Sequence, residues 1–266
     1  MAVDVDSLVF FYMRKYLDIP YPTHRDERMV CAAFIHNTRR STKWVVEDMA
    51  KYSTNQLVSL LKYLKSIGLV LHPVYSTGYP KLKRDLYDER LQTRTNIERT
   101  FRQMDVDTVL PWIKKYMLHF RDEVRDIVVQ HPRLNLHQST EADKWCGKHH
   151  RVTMSEDVDI FLFGNKKTII VRPFLDHPTH FDFVDCKSYF ANKGIATYDD
   201  FVQVAFMVGT DYNRGIKGMG VKKSVAAIAK YGTVQKYVAA KYDLSDDNVE
   251  EMMERYKRFI KYVASF

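Results

Sequence analysis

Residues 151–159 read Arg151-Val152-Thr153-Met154-Ser155-Glu156-Asp157-Val158-Asp159. A short apolar run passes without a break into an acidic one. The first half reads as a buried strand, the third of the chain, and the second half as carboxylates at its carboxyl end. Side chains alternate along extended backbone, so Asp157 and Asp159, two apart, are expected to point the same way. Working outward, the pattern recurs. Ala2-Val3-Asp4 reads as a strand ending on an acid and running into a helix. Leu69-Val70-Leu71, followed by Pro73-Val74-Tyr75, reads as a second core strand closed by the turn Ser76-Thr77-Gly78-Tyr79-Pro80. Phe161-Leu162-Phe163-Gly164 and Ile169-Ile170-Val171 continue as strand-like pieces.

Helical signals separate these runs. Ser53 with Gln56 matches a capping box, Leu57, Leu60, Leu61 and Leu64 follow at helical spacing, and Gly68 is a natural stop. Residues 81–130 look helical and charged; from Lys81 to Arg102 seven Lys/Arg stand against four Asp/Glu. Tyr198 to Val208 is amphipathic and ends at Gly209-Thr210-Asp211-Tyr212. Gly218-Met219-Gly220-Val221-Lys222-Lys223 precedes a helix from Ser224 to Tyr231, and the tail from Ser245 reads as a charged helix. Strands alternating with helices predict an α/β fold with a central, mainly parallel sheet. No repeat or Gly/Ser-rich linker divides the chain, so residues 1–266 are expected to form a single domain.

In open α/β sheets, ligands gather beyond the carboxyl ends of the strands. Asp4, Asp157 and Asp159 fall there. Glu141 and Asp143 follow Ser139-Thr140, which reads as an N-cap, and Asp211 ends a helix. Taken singly, each acid is more often a cap, a surface charge or a salt-bridge partner. Converging, they would repel strongly and require cations. An all-oxygen set without Cys or His favours Mg²⁺ or Mn²⁺, and two such ions form the usual clamp for phosphodiester hydrolysis.

Composition agrees with that chemistry. The formal net charge of +8 suits a polyanion, with nucleic acid first among candidates. No apolar run approaches the length of a membrane span, and no basic n-region marks a signal peptide. Cys31, Cys146 and Cys186 read as reduced thiols of an intracellular protein. Cys146 lies near His149 and His150, but no second Cys/His pair completes a zinc site.

Four blocks resemble the flap endonucleases and the repair nuclease of the xeroderma G type, the structure-specific 5′ nucleases. Ala2-Val3-Asp4 with Phe10 looks like the family's first strand, metal-binding Asp and base-stacking aromatic. Glu141-Ala142-Asp143 looks like its Glu-Ala-Glu block, and Glu156-Asp157-Val158-Asp159 like its Glu-Asp-x-Asp block. Gly209-Thr210-Asp211-Tyr212, with the run from Ile216 to Lys223, looks like its Gly-Ser-Asp-Tyr block and helix–two-turn–helix. The match is clear over about 134–235 and silent over 13–68 and the tail.

The resemblance implies a PIN-like 5′ nuclease domain that cuts branched or 5′-flapped DNA with two Mg²⁺ or Mn²⁺ ions on Asp4, Glu141, Asp143, Asp157, Asp159 and Asp211. It implies a helical arch over about 84–133, with Lys83 and Arg90 contacting the scissile phosphate and Arg94 assisting. It also implies a helix–two-turn–helix over about 205–235. There Gly218, Gly220, Lys222 and Lys223 hold the duplex backbone, with a K⁺ ion. The chain is then expected to be a monomer acting in the nucleus or at a viral or phage replication site. It shows no sliding-clamp peptide.

Three departures accompany the match. Ser76 stands where the family carries an Asp at the end of its second strand. Asp143 stands for a Glu. The family's segment opening Met-Gly has no counterpart ahead of Ala2. These departures keep two alternatives open: a nucleic-acid-binding relative with weak or no catalysis, and an RNA endonuclease on the same fold.

Overall fold

A computed structural model describes residues 1–18, 39–78, 81–101, 118–164, 167–173, 179–243 and 246–265. Cys31 lies outside them. Among the described residues six strands form one sheet: β1 (Ala2–Asp4), β2 (His72–Ser76), β3 (His137–Ser139), β4 (Val152–Met154), β5 (Ile169–Pro173) and β6 (Phe181–Asp185). Their order is β3-β2-β1-β4-β5-β6; all neighbours pair parallel except β5 with β6. This is the doubly wound arrangement, and its order reverses between β1 and β4.

Helices cover both faces. On one lie α1 (Val5–Asp18), α2 (Arg39–Ser66) and α4 (Arg121–Val129). The other carries α5 (Ala142–His149), the short α6 (Ile160–Phe163), α7 (Cys186–Lys193), α8 (Tyr198–Val208), α9 (Val221–Tyr231), α10 (Val234–Lys241) and α11 (Asp247–Ala264). Between α2 and α4, α3 (Lys81–Phe101) follows β2. Strand residues split between two cores as a period of two requires: Val3, Met154 and Val171 enter the first, Ala2, Val74 and Ile170 the second.

Several sequence expectations change. Ser53 starts no helix; it lies buried within the 28-residue α2. Apolar residues on both sides of it, Val45, Met49, Leu57 and Leu61, carry one helical stripe through the capping-box pattern. The stop at Gly68 holds: its φ is +86°, and its amide and that of Leu69 return to Lys65 and Leu64. The second strand begins at His72, leaving Leu69 and Val70 exposed. Phe161–Phe163 form a helical turn rather than a strand. Residues 151–154 belong to the fourth strand rather than the third, because His137–Ser139 forms an unforeseen edge strand; β6 is also unforeseen. The last part of the expected arch, α4, packs Val124 and Val128 into the core against α1 and α2. These residues of the expected arch therefore belong to the core.

Candidate metal and nucleic-acid site

Asp4 ends β1 and caps α1 in one step, its Oδ1 accepting the Ser7 amide at 3.2 Å. Its Oδ2 accepts the hydroxyl of Ser155, the residue after β4, at 2.8 Å. The switch point of the sheet is thus closed by an acid–hydroxyl pair. Ser155 also accepts the Asp157 amide, and Asp157 accepts the Asp159 amide at 2.8 Å. Residues 157–159 are therefore a turn, not the extended stretch expected. The hydrogen bond within the turn brings the two acids together. Asp211, in the turn after α8, donates its amide to Asp159.

Glu141 and Asp143 arrive from the far side. Glu141 is itself the N-cap position of α5, without a side-chain cap bond, so the expected Ser139-Thr140 cap is not formed. Ser76 supplies that cap across the sheet: its Oγ accepts the Ala142 amide at 3.0 Å. Lys83, in the first turn of α3, places its ammonium 2.7 Å from Glu141 and 3.0 Å from Asp143, and over the Tyr212 ring. The Tyr212 and Tyr262 hydroxyls also donate to Glu141. Tyr262, on α11, is a contributor with no signal in the sequence.

Several of these groups line a cavity of about 340 Å³. Asp4, Glu141, Asp143, Asp157 and Asp211 face it; Asp159 stands behind, against Asp211. Phe10 lines it too, with the Arg14 and Arg121 guanidinium groups over its ring. Arg125 and Arg172 complete a basic wall that sequence reading misses, because it is gathered from α1, α4 and β5. Arg90 and Arg94 lie on α3, but their side chains fall outside the described residues. The arginines Arg14, Arg121, Arg125 and Arg172 therefore supply the described cationic wall.

The electrostatics mark the cavity as crowded with negative charge. Burial, then the nearby Asp143, pushes Asp157 up to about 7. Burial raises Asp4 well above the carboxylate range, with Asp143 and Asp6 adding to it; Asp159 is raised by burial and by Asp157 and Asp211. For Lys83, burial opposes the charge, but Asp143 and Glu141 outweigh it and lift the ammonium well above its usual value.

A divalent ion fits this donor set in chemistry: every candidate ligand is a hard oxygen. Among the described residues no three His, Cys, Asp or Glu side chains stand in a ready ligating arrangement. The reason is visible in the hydrogen bonds. Lys83 and two tyrosines satisfy Glu141, and Asp4, Asp157 and Asp159 satisfy neighbouring amides and a hydroxyl.

Beside the cavity, α8 and α9 pack together across the loop 209–220. Gly215 needs to be glycine: φ is +69°, and a Cβ would meet Val208 O at 2.6 Å. Gly218 has φ +81°, and Gly220 has ordinary extended geometry; a Cβ on either meets open space. Packing therefore does not demand glycine at 220. Lys222 is exposed, and Lys223 folds back onto the Gly218 carbonyl at 3.1 Å. Arg214 of this loop pairs with Glu89 of α3.

The doubly wound sheet, with acids at its switch point and a helix–loop–helix alongside, is shared with solved structures of the PIN-like 5′ nuclease fold. The particular relatives are flap endonucleases and Rad2. Flap endonuclease 1 of Methanosphaera stadtmanae is 20% identical over 251 residues, covering 86% of this chain and 74% of its own. The DNA repair protein RAD2 of Saccharomyces cerevisiae is 28% identical over 102 residues, covering 36% of this chain and 10% of its own. Among solved structures, the catalytic core of Rad2 in complex with DNA substrate aligns with a TM-score of 0.51 at 18% identity, over 98% of this chain and 72% of that one. No family model matches the chain.

Proposed function

We propose that this chain is a structure-specific 5′ nuclease that hydrolyses phosphodiesters of branched or 5′-flapped DNA inside the cell. The observation that carries this reading is the cavity at the β1/β4 switch point, where acids from four places in the chain meet beneath a wall of arginines. The relatives point the same way: flap endonucleases by name, and a Rad2 core bound to DNA substrate.

Asp4, Glu141, Asp143, Asp157, Asp159 and Asp211 would hold two Mg²⁺ or Mn²⁺ ions. When bound, such ions would supply Lewis acidity toward water and the phosphate. Lys83 and Arg90 would bind the scissile phosphate, with Arg94, Arg14 and Arg121 neutralising it further. Phe10 would stack on a base at the cavity mouth. Gly218, Gly220, Lys222 and Lys223 would hold the duplex backbone, with K⁺ at that loop. Part of the stretch 84–133 would form the arch over a single-stranded 5′ end.

A second reading, a non-catalytic binding module, is favoured by one observation: Lys83 bridges Glu141 and Asp143 where a cation would sit. Labelled 5′-flap, gapped, blunt and RNA substrates, each with Mg²⁺, Mn²⁺ or EDTA, separate the readings. Preference for the flap with metal supports the DNA nuclease. Cleavage of RNA alone supports the RNA alternative. Salt-sensitive binding with no product in either metal supports the binding module.

A further inference from the structure

Asp6 is an acid outside the four motif blocks. It lies two residues after Asp4, in the first turn of α1, and lines the same cavity as Asp4, Glu141 and Asp143. Its Oδ2 accepts the backbone amide of Ser76 at 2.9 Å, across the sheet at the end of β2. Its Oδ1 is shut off from solvent and has no hydrogen-bond partner. An acid in a helix's first turn usually answers the helix dipole, and such acids face water. Asp6 instead lines the cavity beside Asp4 and Asp143. A buried carboxylate oxygen without a partner is costly unless something positive completes it. Arg125 lines the same cavity, but Oδ1 accepts no bond from it.

Ser76 shows where the exchange occurs. Its hydroxyl carries no charge to replace an anionic ligand, and it accepts the Ala142 amide. At the end of β2 the position that reaches the cavity with negative charge is therefore occupied from α1, by Asp6 bound to the Ser76 amide.

We infer that Asp6 is a metal ligand of the first ion site, taking the place that the residue at position 76 cannot fill. This rests on the proposed two-ion reading and names a ligand that reading lacks. The carboxylate of Asp6 would keep Oδ2 on the Ser76 amide and leave Oδ1 as the donor for an ion.

The test reads ion binding rather than turnover. Mn²⁺ is titrated into the full chain and followed by electron paramagnetic resonance of the free ion, with thermal melting as the check on folding. Asp6→Asn, which keeps shape and removes charge, is expected to melt like wild type in EDTA and to bind the weaker-held Mn²⁺ about tenfold less tightly or worse. The exchange variant Asp6→Ser/Ser76→Asp returns a carboxylate to the same corner and is expected to restore affinity to within about threefold. It also serves if Asp6→Asn does not fold. Folded Asp6→Asn with wild-type Mn²⁺ affinity overturns the inference, as does a folded exchange variant that fails to bind, or wild type that binds no Mn²⁺. Failure of the nuclease reading looks different: wild type binds Mn²⁺ in an Asp6-dependent way yet cuts nothing.

Discussion

Lys83 holds Glu141 and Asp143 with a single buried ammonium, and Asp4 is held by Ser155 and the Ser7 amide. Removing one partner of such a buried pair leaves uncompensated charge and costs about 3–5 kcal/mol. Lys83→Met is therefore expected to lower the melting temperature in EDTA, and added Mg²⁺ is expected to raise it by more than in wild type. A Mg²⁺ response equal to that of wild type would show that Lys83 and the ion do not share a place. The raised acids also set a pH dependence. Asp157 titrates at about 7 folded against 3.8 unfolded, with Asp143, Asp211 and Lys83 facing it. Between those values the folded state binds the extra proton. Stability from this group is thus lost as pH rises from about 4 to about 7. Melting in EDTA at pH 5 and pH 8 should show the fall, and Asp157→Asn should flatten it; an unchanged slope in the variant contradicts the assignment.

At the scale of elements, the loop 209–220 separates structural glycines from functional ones. Gly215→Ala forces a Cβ into Val208 O with φ positive, and is expected to destabilise by about 1–3 kcal/mol in urea melts. Gly220→Ala meets open space in ordinary backbone, so stability should stay within about 0.5 kcal/mol. Duplex affinity should nonetheless fall several-fold if a phosphate approaches there, and Gly220→Ala binding duplex like wild type would remove that residue from the interface. The element scale also shows what in the sequence places residues at the cavity. Asp4, Asp157 and Asp211 line it, and each follows a local signal, a strand end or a helix stop. The helix start expected at Ser53 fails because a capping pattern is local, whereas the stripe from Val45 to Leu64 that overrides it spans the whole helix. The edge strand His137–Ser139 has no apolar alternation, since it pairs on one side only and leaves two of its three residues exposed. Asp6 escapes sequence reading because its partner, the Ser76 amide, lies 70 residues away.

Across the whole molecule, the strand order sets β1, β2, β3 and β4 side by side and parallel, so their carboxyl ends share one edge. Loops that are distant in sequence therefore deliver acids to one cavity, while α1 and α4 deliver most of its arginines. Binding of phosphates by such arginines is salt-dependent. Arg14→Ala/Arg121→Ala should weaken flap-DNA binding and reduce the slope of log affinity against log salt by about 0.9 for each phosphate no longer neutralised. The most direct measurement is cleavage of a labelled 5′-flap duplex by wild type and Asp157→Asn at matched DNA occupancy. The expected result is product from wild type in Mg²⁺ or Mn²⁺ and none in EDTA, with the variant bound to DNA but slower by about a hundredfold or more. Wild-type protein that binds the flap and yields no product in either metal, with enzyme well above substrate, would contradict the nuclease reading.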